Sequence, residues 1–202
     1  MRITPLEPRR EPADLQDHAL DHIRFIRSTM ERAGVFTAVP GWGQVVVGAT
    51  ALAAAFFASR ERTVHGWLAV WIVEALAALT IGVAAMAHKS RMAGMPPLGV
   101  SARRFAMSFS LPIMAGAVIT AALYRAGLTD LLPGIWLLLY GTAFAAGGAF
   151  SVRIVQALGF CFMAVGAAAL FTPAAWGNAW MAFGFGAFHV GFGVAIARKH
   201  GG

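Results

Sequence analysis

Six long apolar segments constrain the fold of this chain more than any other feature of its sequence. Each is close to the ~20 residues that an α-helix needs to cross the hydrocarbon core of a bilayer. Inside a bilayer every backbone N–H and C=O group must find its partner within the protein, which a helix achieves alone. The sequence therefore predicts an all-α, polytopic bundle whose six transmembrane helices cover residues 42–59, 67–87, 105–124, 134–151, 154–171 and 176–197.

The composition agrees with a multi-pass membrane protein. The 202 residues are 58% hydrophobic and only 12% charged, whereas soluble domains carry about 25% charged residues. The net charge of +7 could indicate nucleic-acid binding. However, the basic residues cluster at the ends of the apolar segments, where they orient helices in a bilayer. We therefore expect the lipid bilayer as a partner and no nucleic acid.

The polar N-terminal region predicts a domain organisation in four parts. Residues 1–12 contain three prolines and no apolar period, which indicates a disordered tail. Residues 13–41 contain an amphipathic helix, 13–34, followed by an entry loop in which Pro40 and Gly41 break the helix. Residues 42–197 form the six-helix transmembrane domain, and residues 198–202 form a basic tail. The apolar stripe of the amphipathic helix consists of Leu15, Ala19, Ile23, Ile26 and Met30.

The distribution of Lys and Arg predicts the orientation. With the N-terminus in the cytoplasm, thirteen Lys and Arg residues fall on the cytoplasmic side and three on the other side. This asymmetry follows the positive-inside rule. An even number of helices then places both the N-terminus and the C-terminus in the cytoplasm.

Two ionisable residues, Glu74 and His189, lie well inside the predicted spans. Such residues are costly in hydrocarbon and are functional candidates by default. Counted from the ends of the predicted spans, Glu74 lies roughly 10 Å below the outer surface and His189 roughly 12 Å from the cytoplasmic side. We therefore expect the two residues at different levels, without direct pairing.

Each of these residues has polar neighbours at its own expected level. Those neighbours are Thr120 and Tyr140 for Glu74, and Cys161, Ser110 and Thr50 for His189. We predict that His189 is neutral and hydrogen-bonded to Cys161 or Ser110, because an unpaired imidazole is costly in hydrocarbon. Two interpretations remain for both ionisable residues. They stabilise the bundle by interhelical hydrogen bonds worth ~0.6–2 kcal/mol, or they act in the function.

His189 also permits a haem- or pigment-binding interpretation. Phe185 and Phe192 would lie beside a flat macrocycle, but the other histidines fall outside the spans or at their ends. His18 and His22 have the i, i+4 spacing of a helical metal site, but no third ligand is evident beside them. The sequence contains no catalytic triad, phosphate-binding loop or carboxylate pair. We therefore expect no cofactor, no metal and no catalytic residue.

Small residues in the sixth span predict close helix packing. They let two helix backbones approach one another, within one bundle or between two copies of a chain. A homo-oligomer therefore remains an alternative to packing inside the bundle. The residues concerned are Gly186, Ala187, Gly191, Gly193 and Ala195.

The stretch "IRFIRSTMERAGVFTAVPGWG", residues 23–43, resembles a family of small bacterial multi-pass membrane proteins of uncharacterised activity. The resemblance implies a bacterial inner membrane and no particular activity. Because the spans offer few polar residues for a solute path, we expect a non-enzymatic accessory, sensing or assembly component. Its N-terminal helix would bind a membrane surface or a protein partner. The alternatives are a small oligomeric transporter or channel that uses Glu74, and a haem- or pigment-binding subunit that uses His189.

Overall fold

The computed structural model describes residues 21–22, 39–92 and 99–200. The chain divides into two units, Met1–Gly34 and Val35–Gly202, and nearly all of the described residues belong to the second. The amphipathic helix predicted for 13–34 lies outside the described residues, except for Asp21 and His22.

The described residues of the second unit contain six helices that are long and apolar enough to cross a membrane. This confirms the prediction of an all-helical protein with six candidate spans. The sixth helix, α6, is composite: an α-helical turn, a π-helical segment and a second α-helical segment follow one another without a break. The helices are α1 (Gly41–Ala58), α2 (Val64–Met92), α3 (Val100–Ala126), α4 (Leu132–Gly148), α5 (Arg153–Leu170) and α6 (Gly177–Met181, Ala182–Phe188 and His189–His200).

Helices α2 and α3 extend furthest beyond the spans that the apolar pattern predicts. Helix α2 exceeds the predicted 67–87 at both ends, and α3 exceeds the predicted 105–124. The added turns are polar and basic, and include Lys89 and Arg91 at the end of α2. Hydropathy marks only the part of a helix that suits hydrocarbon, so it misses the turns that continue into the polar layer.

Glycine and proline set several helix ends. Pro40 precedes α1 with an extended backbone, and Pro133 lies in the first turn of α4, where its missing N–H breaks no helical hydrogen bond. Gly127 ends α3 with a φ of 71°, a left-handed conformation that glycine adopts without strain.

The bundle contains two closely packed helix pairs, α4 with α5 and α1 with α6. In each pair, glycines seven residues apart lie at the contact. A methyl group at Gly159 would be 2.4 Å from the backbone nitrogen of Ala145, and one at Gly193 would be 2.8 Å from that of Val45. Neither position has room for a side chain. The facing glycines are Gly134 and Gly141 against Gly166 and Gly159, and Gly41 and Gly48 against Gly193 and Gly186.

Helices α2 and α3 lie at the periphery of the bundle. The buried residues of α2 are Trp71 and Ser90, and those of α3 are Phe105 and Gly116. Most of their other apolar side chains are exposed, which suits a surface in contact with lipid. Large exposed examples are Val73, Leu76, Leu79, Val83, Leu111, Met114 and Val118.

Candidate functional site

The core of the bundle is an aromatic cluster around His189. The imidazole is 0% exposed. Its ring centroid lies 5.3 Å from that of Phe162, 5.5 Å from Tyr140, 6.1 Å from Phe144 and 6.3 Å from Phe185. The rings come from α4, α5 and α6, so His189 lies where three helices meet.

A local change in helix geometry positions this histidine. The π-helical segment Ala182–Phe188 ends directly before His189. The backbone N–H of His189 bonds to the carbonyl of Gly186. The carbonyl of Phe185, which a regular α-helix would pair with the N–H of His189, accepts instead from the imidazole Nδ1 at 2.9 Å. Single-turn π segments frequently occur at functional sites.

The hydrogen bonds of His189 define its tautomer. A carbonyl oxygen can only accept, so Nδ1 carries a proton and donates it to Phe185. In a neutral ring the other nitrogen, Nε2, is then an acceptor. It lies 2.9 Å from the Tyr140 hydroxyl, which donates to it. Both ring nitrogens are therefore satisfied, as a fully buried neutral imidazole requires.

These bonds correct the expected partners of His189. Neither Cys161 nor Ser110 takes part, because the two ring nitrogens are bonded to Tyr140 and Phe185. Ser110 is exposed on α3, and its hydroxyl donates to the carbonyl of Met107 in its own helix. Cys161 lies half-buried on α5. The depth estimate matched these residues in height but could not determine which side of each helix faces the core.

Glu74 likewise has a partner other than the two expected. Its carboxyl Oε1 lies 2.9 Å from the hydroxyl of Thr50 on α1. Thr120, which we expected beside Glu74, instead accepts from the Trp136 indole N–H at 2.7 Å and donates to the carbonyl of Gly116. Tyr140 donates to His189 but lies within electrostatic range of Glu74.

Glu74 and His189 belong to two separate polar pairs. Glu74 is bonded to Thr50 of α1, and the two nitrogens of His189 are bonded to Tyr140 and Phe185. The prediction that Glu74 and His189 lie at different levels stays a prediction.

A second polar site, which the sequence analysis missed, joins α1, α2 and α6. The side-chain oxygen of Asn178 accepts from the indole N–H groups of Trp67 at 3.4 Å and Trp71 at 3.3 Å. Its amide donates to the carbonyl of Ala55 at 2.7 Å. The sequence contained a signal for this site, because Asn178 is an uncharged amide inside an apolar span and another span contains two tryptophans.

The small residues of α6 fall on two different faces. Gly186 and Gly193 pack against α1, as packing within the bundle requires. Ala187, Gly191 and Ala195 instead line an open apolar groove of about 260 Å³. A methyl group added at Gly191 would meet nothing within 4 Å. The other residues that line the groove are Ile154, Phe188 and Phe192.

Within the described ranges, no group of three or more His, Cys, Asp or Glu side chains is placed to hold a metal ion. His18 lies outside those ranges. Comparison of the chain with protein-family models, curated proteins and solved structures finds no match.

Proposed function

We propose that the protein is a non-enzymatic component of the bacterial inner membrane that acts in accessory, sensing or assembly work. One observation carries this proposal: the polar pair at the centre of the bundle is bonded internally and enclosed by aromatic rings. The hydroxyl of Tyr140 and Nε2 of His189 join α4 to α6, and Nδ1 of His189 is bonded to Phe185 within α6. A centre of this kind suits a scaffold better than a solute path, which needs polar groups that face water.

The proposal includes an orientation with both termini in the cytoplasm. Its support is the excess of Lys and Arg on that side, thirteen against three. The partner-binding element is then the N-terminal amphipathic helix, whose apolar stripe includes Ile23, Ile26 and Met30. A protein partner or the membrane surface would cover that stripe.

A photo-crosslinking amino acid at position 26 tests this proposal in native membranes. Helical periodicity places Ile26 on the apolar stripe and Arg24 on the opposite face, so position 24 is the matched control. We expect cross-links from position 26, to one protein or to lipid, and far fewer from position 24. Equal cross-linking from both positions would contradict a docking role for the stripe.

A small transporter or channel is the second candidate, because Glu74 places a carboxyl group at mid-span beside Thr50. Purified protein in vesicles with an internal pH dye distinguishes the two proposals. The accessory proposal predicts no proton or cation flux above that of empty vesicles. Flux that Glu74→Gln abolishes would replace it with transport.

The haem or pigment alternative has weaker geometric support. A macrocycle iron or magnesium bound to Nε2 would have to displace the Tyr140 hydroxyl and open the surrounding ring cluster. An absorption spectrum of the protein purified in mild detergent tests this. A visible band that is absent from His189→Ala would support a pigment.

A further inference from the structure

We propose that Glu74 is a proton-binding site inside the membrane, held as a carboxylic acid that donates to Thr50 and is reached from the lipid. This inference stands apart from the accessory role, because it concerns the chemical state of one side chain. A scaffold and a transporter could both contain such a site.

The hydrogen-bond geometry around Thr50 supports the acid form. The Thr50 hydroxyl oxygen lies 2.9 Å from Glu74 Oε1 and also 2.9 Å from the carbonyl oxygen of Val47. The hydroxyl has one proton and cannot donate to both. If Glu74 carries a proton, it donates to the Thr50 oxygen and Thr50 donates to Val47. Both contacts are then hydrogen bonds.

The surrounding charges favour the same state. Helix α1, which holds Thr50, carries no charged side chain. On α4 the titratable group is Tyr140, within electrostatic range of Glu74, and it is bonded to His189 of α6. On α2 itself the other titratable groups are two or more turns away; they are His65, His88, Lys89 and Arg91. The titratable groups of α3, arginines 103, 104 and 125 with Tyr124, lie in its end turns.

An ionised Glu74 would thus be a carboxylate at mid-span without a cation beside it. Carboxylates at this depth are costly unless a cation or water compensates them. Binding a proton removes the charge and keeps the hydrogen bond to Thr50.

Access from lipid follows from the position of α2. Glu74 is partly exposed, and around the helix it lies between the buried Trp71 and Val73, which is 65% exposed. Its side chain therefore lies at the edge of the peripheral, lipid-suited face of the bundle. A proton carrier or an apolar reagent dissolved in the bilayer can therefore approach the carboxyl group.

A lipophilic carbodiimide is a direct probe of this state. It reacts with a protonated carboxyl: the acid proton passes to a carbodiimide nitrogen and the carboxyl oxygen adds to the central carbon. The product rearranges to a stable N-acylurea without a leaving group, so the protein gains the full mass of the reagent. A water-soluble, cationic carbodiimide has the same chemistry but stays out of hydrocarbon.

We expect the lipophilic reagent to label vesicle-embedded wild type near neutral pH, with the added mass on the peptide that contains Glu74. Glu74→Gln should lose this label, and Glu61→Gln, which changes an exposed loop acid, should keep it. The cationic reagent should label Glu74 at least tenfold more slowly. Equal or faster labelling by the cationic reagent would overturn access from lipid and indicate an aqueous path.

Infrared difference spectroscopy provides the second measurement and does not depend on reagent access. The wild type should show a carboxylic acid C=O band that Glu74→Gln removes and Thr50→Val shifts, since the acid loses its acceptor. Thr80→Val is the matched control, because the Thr80 hydroxyl bonds to its own helix at Leu76. Absence of a band sensitive to Glu74→Gln would show that the carboxyl is ionised, and it would overturn the proposal without affecting the proposed scaffold role.

Discussion

The hydrogen bond between Tyr140 and His189 should contribute measurably to the stability of the bundle. Replacing Tyr140 with Phe removes one hydroxyl and leaves the ring in the cluster. Nε2 of His189 then loses its donor in an environment from which solvent is excluded, since the residue is 0% exposed. A buried polar atom left without a partner costs about 1–3 kcal/mol, so we expect Tyr140→Phe to lower the unfolding free energy by that amount.

The double variant Tyr140→Phe/His189→Phe separates the bond from other effects of each change. It removes both partners and fills the site with apolar rings, a change that can be nearly neutral. Its loss of stability should therefore be smaller than the sum of the two single losses. Interhelical hydrogen bonds in membrane proteins give coupling energies of about 0.6–1.7 kcal/mol, and we expect a value in that range.

Reversible unfolding in mixed micelles, followed by the fluorescence of the six tryptophans, measures these differences. Tyr124→Phe is the matched control, because Tyr124 also bonds to a histidine, His65, but at an exposed position. Water can replace the lost partner there, so the change should stay within about 0.5 kcal/mol. If Tyr140→Phe cost no more than this control, and if the double variant were additive within about 0.5 kcal/mol, the central hydrogen bond would be refuted.

Three further predictions concern packing and orientation. Gly193→Ala should lower the unfolding free energy by about 1–3 kcal/mol, since its methyl group would lie 2.8 Å from the backbone of Val45. Gly191→Ala should leave the stability of the monomer unchanged, because its methyl group would meet nothing within 4 Å. Thermal unfolding in detergent compares the two variants. If light scattering shows an oligomer of the wild type that Gly191→Leu abolishes, a second copy of the chain occupies the open groove. Asn178→Leu should cost about 1–3 kcal/mol by leaving two indole N–H groups without their acceptor, and hydrogen exchange at the start of α2 should rise. In a chain with Cys161→Ala, a cysteine at position 64 should react with an impermeant thiol reagent in intact cells, and one at position 95 should not. The reverse pattern would contradict the proposed orientation.

The sequence by itself determined the number of helices and their approximate limits. Runs of apolar residues must satisfy their backbone groups within the segment, so length and composition suffice to place a helix. The same logic identified Glu74 and His189, because an ionisable residue in such a run is conspicuous. These inferences depend on one-dimensional properties of the chain.

The tertiary structure alone decided which residues meet. Six apolar helices can pack in many orders, and hydropathy does not specify which face of each helix turns inward. Cys161 and Ser110 were expected at the height of His189, but Tyr140 bonds to the imidazole, and the hydroxyl of Ser110 bonds within its own helix.

The alignment of neighbouring helices was likewise decided only in the structure. Helices α2 and α3 continue past their apolar parts, and the contact of Gly48 with Gly186 determines how α1 and α6 are aligned. The packing of α1 against α2 brings Thr50 to Glu74. Hydrophobic burial cannot distinguish one apolar helix face from another within lipid, so helix pairing depends on close backbone approach and on a few polar contacts. Those are properties of pairs of helices and appear only when the helices are assembled.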